Sequence, residues 1–569
     1  MQGVFLCDQD QLARSCCHID IQYLCFLIFS HMKQIYTLLT FLLISSTITA
    51  QVFTSSNLPI ISINTNGQAI VDEPKIMADM GIIYNGVNVR NNTTDIFNHY
   101  NGKIGIEIRG ESSQQFPMKS YSIELWDAAG KTVDKSLFGL PKESDWVLYA
   151  PYSDKTLMRN FLAYTMSREM GRWAANCRYV ELILNGEYKG IYVFMEKIKR
   201  GSGRVNISKI ATTDADGDAV TGGYIFAIDK DADAWFSSYQ PLNGSQNQRI
   251  QFSYTYPKVT AITEQQAAYL RRYTDSFETA LYNSNLTTNN WRQFADEASF
   301  IDYMIINEIS RNVDGYRLSA YFYKDRLSKG GKIFAGPVWD YDLAFRNANY
   351  CNAVDTAGWA FEFNKTCPTD YWLIPFWWDK LTNDAGFRAK LRCRWKELRQ
   401  TSLSIDRINQ LIDSVYTLTG EARQRHFTKW TTLGTYVWPN PNPIASTYDG
   451  EIYYLKEWIE KRITWIDRHI PNEGACYDFP DELKVSAIIS GAPNPVTSSY
   501  TVTVKSRRIQ KVTIRVVNLS GQQIYLQNAD INAGINNVSI AAAKWQRGSY
   551  IVKIEAETGE QFYRKIVKL

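Results

Sequence analysis

Histidine is the scarcest chemistry-bearing residue in this chain, with 5 copies in 569 residues, and His99, His426 and His469 lie far apart. That scatter leaves no metalloprotease or Ser-His-Asp signature. No two cysteines stand at CxxC spacing, which argues against a structural zinc site. An excess of one charge is also missing. The 62 basic and 58 acidic residues leave a net of +4 with no sustained basic block, unlike a nucleic-acid binder. Beyond Gln51 no long uncharged apolar run offers a membrane span.

What the chain does contain is ample core material. With 45% hydrophobic and 14% aromatic residues, a chain this long implies two or more folded units.

From Met32 the sequence reads "MKQIYTLLTFLLISSTITAQ": a lysine, an apolar run from Leu38 to Ile44, then small residues before Gln51. This is the order of a secretory signal peptide, so residues 32–50 are read as one and no transmembrane segment is expected after its removal. Residues 1–31 fit no signal n-region and read as a start placed too far upstream. Of the 9 cysteines, Cys7, Cys16, Cys17 and Cys25 fall in that part, leaving Cys177, Cys351, Cys367, Cys393 and Cys476. An odd number cannot all pair within one chain. One or two disulfides are expected in an oxidising compartment, with Cys351 and Cys367 nearest in sequence, but spacing does not fix connectivity.

Strand patterns dominate the first part: "PIISINTN", "KIGIEIRG", "KSYSIELWD", "WVLYAP", "RYVELILNG" and "GIYVFMEKI" alternate apolar with polar residues between Gly, Asn or Pro. They predict a twisted antiparallel sheet. One helix interrupts it, "SDKTLMRNFLAYTMSREMG", with Ser153 or Asp154 as N-cap and Gly171 as the stop. Helical periodicity then takes over in "TEQQAAYLRRYTDSFETALYN", "DEASFIDYMIINEISRN", "WWDKLTNDAGFRAKLRCRWKELRQ" and "GEIYYLKEWIEKRITWIDRHI". A strand-rich half followed by a helix-rich half predicts two lobes with a cleft between them. After a linker at 472–483, residues 484–569 return to short strands with regular turn signals, as a small β-sandwich does.

Between the halves, "NVDGYRLSAYFYKDRLSKGGKIFAGPVWDYDLAF" carries Asp314, Asp340 and Asp342. Leu318 to Lys324 and Lys332 to Val338 read as the two strands of a hairpin, and the start of one antiparallel strand lies beside the end of its partner. Asp314 and Asp340 therefore arrive at one end, and Asp342 can point the same way from extended backbone. A single Asp in a loop ordinarily caps a turn. Three together repel one another unless a cation neutralises them. Oxygen ligands with no nearby His or Cys suit Mg²⁺, Mn²⁺ or Ca²⁺. "DADGD", Asp214 to Asp218, resembles a calcium loop in part, but its Gly is misplaced and Ile225 stands where the last ligand belongs.

The stretches "NEISRNVDGYRLSAYFYKD", "FAGPVWDYDLAF", "RGESSQQFPMKSYSIEL", "DKTLMRNFLAYTMSREMG" and "GEYKGIYVFMEKI" resemble the spore-coat CotH family of atypical protein kinases. The resemblance implies an α+β, two-lobed protein-kinase-like domain over residues 51–471, followed by the small all-β sandwich. It implies ATP and a divalent cation as cofactors and protein Ser/Thr hydroxyls as acceptors. By that resemblance Asp314 stands where the catalytic-loop aspartate takes the hydroxyl proton, and Asp340 where the DFG-type aspartate holds metal, with Asp342 as a second ligand. Lys119 resembles the lysine on the nucleotide's phosphates, with Glu196 as its partner and Glu169 second, and Arg159 and Asn160 face the cleft. Two features depart from the family. No GxGxxG precedes Lys119, "RGESSQ" being the nearest candidate for covering phosphates, and Ser319 stands where kinases carry a metal-binding Asn.

"PNPVTSSYTVTV", "IRVVNLSGQQIY" and "RGSYIVKIEAETGEQFYRKIVKL" resemble the C-terminal sorting domain of the type IX secretion route. That resemblance implies the type IX machinery as a partner and a secreted or outer-surface location reached through the periplasm. The leading expectation is a secreted Ser/Thr kinase. One rival is a surface adhesin or polysaccharide-associated protein keeping the fold without turnover. A DxD-type glycosyltransferase reading of "DYD" fits the metal but not the neighbouring motifs.

Overall fold

Alternating strands leave two open edges unless the ends of the sheet meet, and here they meet. Strands β1 (Ile60–Asn64), β2 (Ile76–Ile83), β3 (Tyr100–Arg109), β4 (Ser120–Trp126), β5 (Asp145–Tyr149), β6 (Cys177–Leu184) and β7 (Glu187–Glu196) close into a barrel in the order β1-β2-β3-β4-β5-β7-β6. The seam is parallel, with Ile60 opposite Glu181, so the expected antiparallel sheet is corrected to a closed barrel with one parallel pair. Closure pairs both edge strands, which a sheet of these lengths would otherwise expose. This computed structural model describes residues 53–471, Cys476 and 487–569, apart from 231–232, 246–247, 284–289, 507–509, 519–521, 533 and 557–560. The expected upstream segment 1–31, signal peptide 32–50 and, Cys476 apart, linker lie outside the described residues.

The period of two divides each shared strand between two cores. Trp146 and Leu148 of β5, with Tyr192 and Phe194 of β7, fill the barrel. Val147, Ile191, Val193 and Met195 face outward into the larger core, shared with the helices. Helix α1 (Arg159–Glu169) follows β5, and Asp154 accepts from the Arg159 amide at 2.8 Å. Met158, not Asp154, holds the N-cap position, so the carboxylate reaches the helix from one turn upstream. Gly171, at φ +91°, ends that turn as expected.

A second sheet runs β9 (Trp235–Phe236), β10 (Gln251–Tyr256), β8 (Tyr224–Ile228), β11 (Ala320–Lys324), β12 (Ile333–Ala335). Against it pack α2 (Glu264–Tyr282), opened by a capping box of Thr263 and Gln266, and α3 (Glu297–Ser310), capped by Asp296. The single helix expected at Trp377 is two, α4 (Trp377–Asn383) and α5 (Ala385–Arg399), because Asp384 caps the Phe387 amide at 3.0 Å. Then come α6 (Ile405–Leu418), α7 (Gly420–Lys429) and α8 (Tyr448–His469). Disulfides join Cys351 to Cys367 and Cys393 to Cys476, leaving Cys177 buried and unpaired. "DADGD" forms turns, with Asp218 accepting from the Ser328 amide at 2.9 Å.

Helix α7 docks on the barrel through His426, whose Nδ1 accepts from the Ile191 amide at 3.1 Å. Burial pushes this imidazole down to about 3. A histidine held neutral stabilises the fold above its unfolded pKa of about 6.5 and loses that contribution as pH falls toward the folded value. We expect the urea midpoint to drop between pH 7 and 4.5, and His426→Gln to flatten that fall while lowering stability at pH 7. Parallel titration curves of the two proteins would rule His426 out as the source.

The C-terminal residues form an all-β unit. Ala487–Ala492, Ser499–Ser506 and Gly534–Ala541 make one sheet, and Gln523–Ile531, Gln510–Asn518, Gly548–Ala556 and Gln561–Lys568 another. Its own core includes Val502, Val516, Ile540, Val552 and Ile566. Among the described residues no helix is long and apolar enough to cross a membrane.

Candidate functional site

Helix α3 is buried almost throughout and stops at Arg311, which turns left-handed at φ +44°. The Arg311 guanidinium bonds the Asn352 and Gly358 carbonyls, so the chain leaves the helix along a fixed path. Gly315 follows Asp314 because a Cβ there would come within 2.1 Å of Asn307 Oδ1. That same Asn307 oxygen accepts from the Tyr341 hydroxyl at 2.8 Å, tying the Asp314 loop to the far end of the hairpin.

The hairpin pairs Phe322 with Ala335 and Lys324 with Ile333, which returns the chain toward Asp314. Beyond β12, Asp340 is left-handed at φ +62°. Its amide donates to the Tyr164 hydroxyl at 3.1 Å, and the Tyr341 amide donates to Asn160 Oδ1 at 2.6 Å. Both anchors sit on α1, so the helix that interrupts the barrel strands fixes the acid-bearing segment. Asp342 Oδ2 accepts from the Tyr149 hydroxyl at 3.3 Å.

Asp314, Asp340 and Asp342 line one cleft of about 150 Å³, with walls from the barrel (Arg109, Tyr149) and from the hairpin side (Ser319, Trp339). Crowding shows in their acidity. Burial raises Asp314, opposed by Arg317, whose Nη2 donates to Asp314 Oδ1 at 2.7 Å. Asp340 is raised by burial and by the Asp314 charge, against the pull of Arg109. Asp342 stands well above the usual carboxylate range through burial and the neighbouring Asp340. Acids that repel in this way gain from a counter-cation. Among the described residues, no three His, Cys, Asp or Glu side chains form a set that could hold a metal by themselves. A pair such as Asp340 and Asp342 suits an ion that keeps several waters and takes the rest of its shell from a phosphate, as Mg²⁺ does, more than the crowded oxygen cage of Ca²⁺.

The remaining expected residues lie elsewhere. Lys119 is absent from the cleft lining and donates to the Gln114 carbonyl. Ser120 does line the cleft, and side chains alternate along a strand, so its neighbour faces away. Glu196 is likewise turned from the cleft, since Met195 faces it. Its Oε2 accepts from the Asn176 amide at 2.9 Å and side chain at 2.8 Å, and Oε1 lies 4.0 Å from Arg204. Among the described residues Lys119 and Glu196 form no ion pair. Glu169 pairs with Arg407 on the surface. Arg159 is buried against Asp154 and the Ala344 carbonyl, so it is structural, whereas Asn160 does line the cleft.

Among the cleft residues that the sequence reading did not single out, two charged ones stand beside the acids. Arg109 ends β3 opposite Ser120, and cross-strand partners share a face. It opens "RGESSQ", whose first residues do line the cleft. Asp229, one residue past the apolar strand β8, lies beside Ser319, whose Oγ donates to Asp229 Oδ2 at 3.3 Å. Burial pushes Asp229 up to about 6. Its only signal in the sequence is an acid at the end of "YIFAI".

A barrel and a helical region line an acidic cleft, and a separate all-β tail follows. The family described as "CotH kinase protein" matches residues 106–466, and the chain belongs to that family. A second family, "Secretion system C-terminal sorting domain", matches residues 492–569. That tail implies the type IX secretion machinery as a partner and delivery to the cell surface or beyond. The chain is similar to the inner spore coat protein H of Bacillus subtilis (strain 168), 24% identical over 245 residues, which is 42% of this chain and 59% of the relative.

Proposed function

We propose that this protein is a secreted kinase that transfers the γ-phosphate of ATP to Ser or Thr hydroxyls of surface or secreted proteins. Residues 51–471 are its catalytic domain, with the barrel and the helical region as two kinase-like lobes, and 484–569 its sorting domain. The observation that carries the reading is the meeting of Asp314, Asp340 and Asp342 in a single cleft between barrel and helices. The family description supports it.

Asp340 and Asp342 would hold the divalent ion, Mg²⁺ or Mn²⁺, which neutralises charge on the phosphates. Asp314 takes the proton of the acceptor hydroxyl while the hydroxyl oxygen bonds to γ-phosphorus and the β–γ bridging bond breaks, releasing ADP. Arg317 keeps Asp314 aimed. Tyr149 on Asp342 and Tyr164 on the Asp340 amide hold the pair of ligands in place.

The test is transfer of label from γ-labelled ATP to a Ser/Thr-containing protein. Label is expected with Mg²⁺ or Mn²⁺ and none in the presence of a chelator. Absence of label with every divalent ion and acceptor tried would favour a surface adhesin that keeps this fold without turnover.

A further inference from the structure

With Lys119 turned away, a cation for the nucleotide phosphates must come from elsewhere in the cleft. Lys230 reaches the lining but is paired with Glu111 at 3.1 Å. Arg109 is different. Its guanidinium makes no hydrogen bond or ion pair with any described residue, Nη1 is buried without a partner, and the group rests 5.5 Å over the Trp339 ring. Asn160 repeats the pattern from the α1 side. Its Oδ1 is committed to the Tyr341 amide, while Nδ2 is buried with no acceptor.

Buried donors without acceptors are costly and rare in folded proteins. Two of them in a single acid-lined cleft call for a ligand rich in acceptor oxygens. A plain carboxylate would be repelled by Asp340 and Asp342, but a polyphosphate that carries a divalent ion turns that repulsion into attraction. A guanidinium suits the task because its fork of donors matches two phosphate oxygens at once and its charge does not titrate.

Building on the kinase reading above, we propose that Arg109 and Asn160 bind the phosphate chain of a metal-bound nucleoside triphosphate, Arg109 filling the role expected of Lys119. The aromatic face of Trp339 holds the guanidinium over the cleft before the nucleotide enters, so little side-chain entropy is lost on binding.

Calorimetric titration of the full chain with Mg²⁺ and a non-hydrolysable ATP analogue tests this without depending on turnover. Arg109→Gln should weaken binding by about tenfold or more, the size of a lost charge-assisted hydrogen bond. Arg109→Lys should recover part of the loss. Asn160→Asp keeps the acceptor for the Tyr341 amide but removes the free donor, and should weaken binding as well. Lys119→Ala removes a half-buried side chain that bonds the Gln114 carbonyl outside the cleft lining, and should stay within about twofold of the parent. Thermal melts report whether each variant folds, and if Arg109→Gln does not, Arg109→Lys and Asn160→Asp decide. Nucleotide binding by the parent that is indifferent to Arg109 and Asn160, or lost with Lys119→Ala, overturns the assignment alone. A parent that binds no nucleotide overturns it together with the kinase reading.

Discussion

Asp314→Asn is expected to lower phosphoryl transfer by about 10²- to 10⁴-fold, the range that removal of a positioned general base produces, while leaving nucleotide binding nearly intact. The substitution is almost isosteric, and the Asn side-chain oxygen can still accept from Arg317 Nη2, now at 2.7 Å from Asp314 Oδ1. What disappears is a carboxylate able to take the hydroxyl proton. Stability should move the other way or not at all. Asp314 is a raised acid whose charge also pushes up Asp340, so neutralising it relieves repulsion in the metal-free protein. Initial rates of label transfer and thermal melts on the same preparation separate the two effects. A variant that loses activity and melting temperature together would show that Asp314 holds the loop rather than performs chemistry.

Arg462→Ala should cost about 3–5 kcal/mol of stability, the penalty for removing one partner of a buried ion pair. Arg462 on α8 is 0% exposed. It donates to Glu308 Oε2 at 3.0 Å, to the Glu308 carbonyl at 2.7 Å and to the Thr356 and Gly358 carbonyls at 3.0 and 2.6 Å. Glu308 also accepts from the Tyr316 hydroxyl at 2.9 Å and from the Ala360 and Phe361 amides at 2.7 and 3.0 Å. Without the guanidinium, that carboxylate is left buried without its counter-charge. Burial already holds its pKa above the usual carboxylate range despite Arg462. Because Glu308 lies in the last turn of α3, the loss should reach the Asp314 loop, so transfer activity should fall with stability. Glu308→Gln combined with Arg462→Met should recover most of the loss in a urea unfolding midpoint. An Arg462→Ala cost of less than about 1 kcal/mol, ordinary for an exposed pair, would refute the account.

Much of the architecture was legible because it rests on local rules. Period-two and helical patterns separated the strand-rich half from the helix-rich half, and capping residues such as Thr263 and Asp296 open helices in the expected segments. The acids were legible for a related reason. A hairpin returns the chain to its start, so three aspartates flanking one ribbon meet whatever the rest of the molecule does. The barrel was not legible, since its closing pair joins Ile60 to Glu181 across a span that no short-range pattern encodes.

By itself, then, the sequence determined the order of the elements, the acidic end of the hairpin, the CotH kinase resemblance and the exported tail, because each depends on neighbours along the chain. Only the tertiary structure decided which side chains face those acids. Alternation tells that Lys119 and Ser120 point to opposite sides, but not which side fronts the cleft. Asn160 was expected at the cleft, but Arg109 and Asp229 come from separate elements, and only the closing of the barrel and the packing of the second sheet against it bring them to the same place.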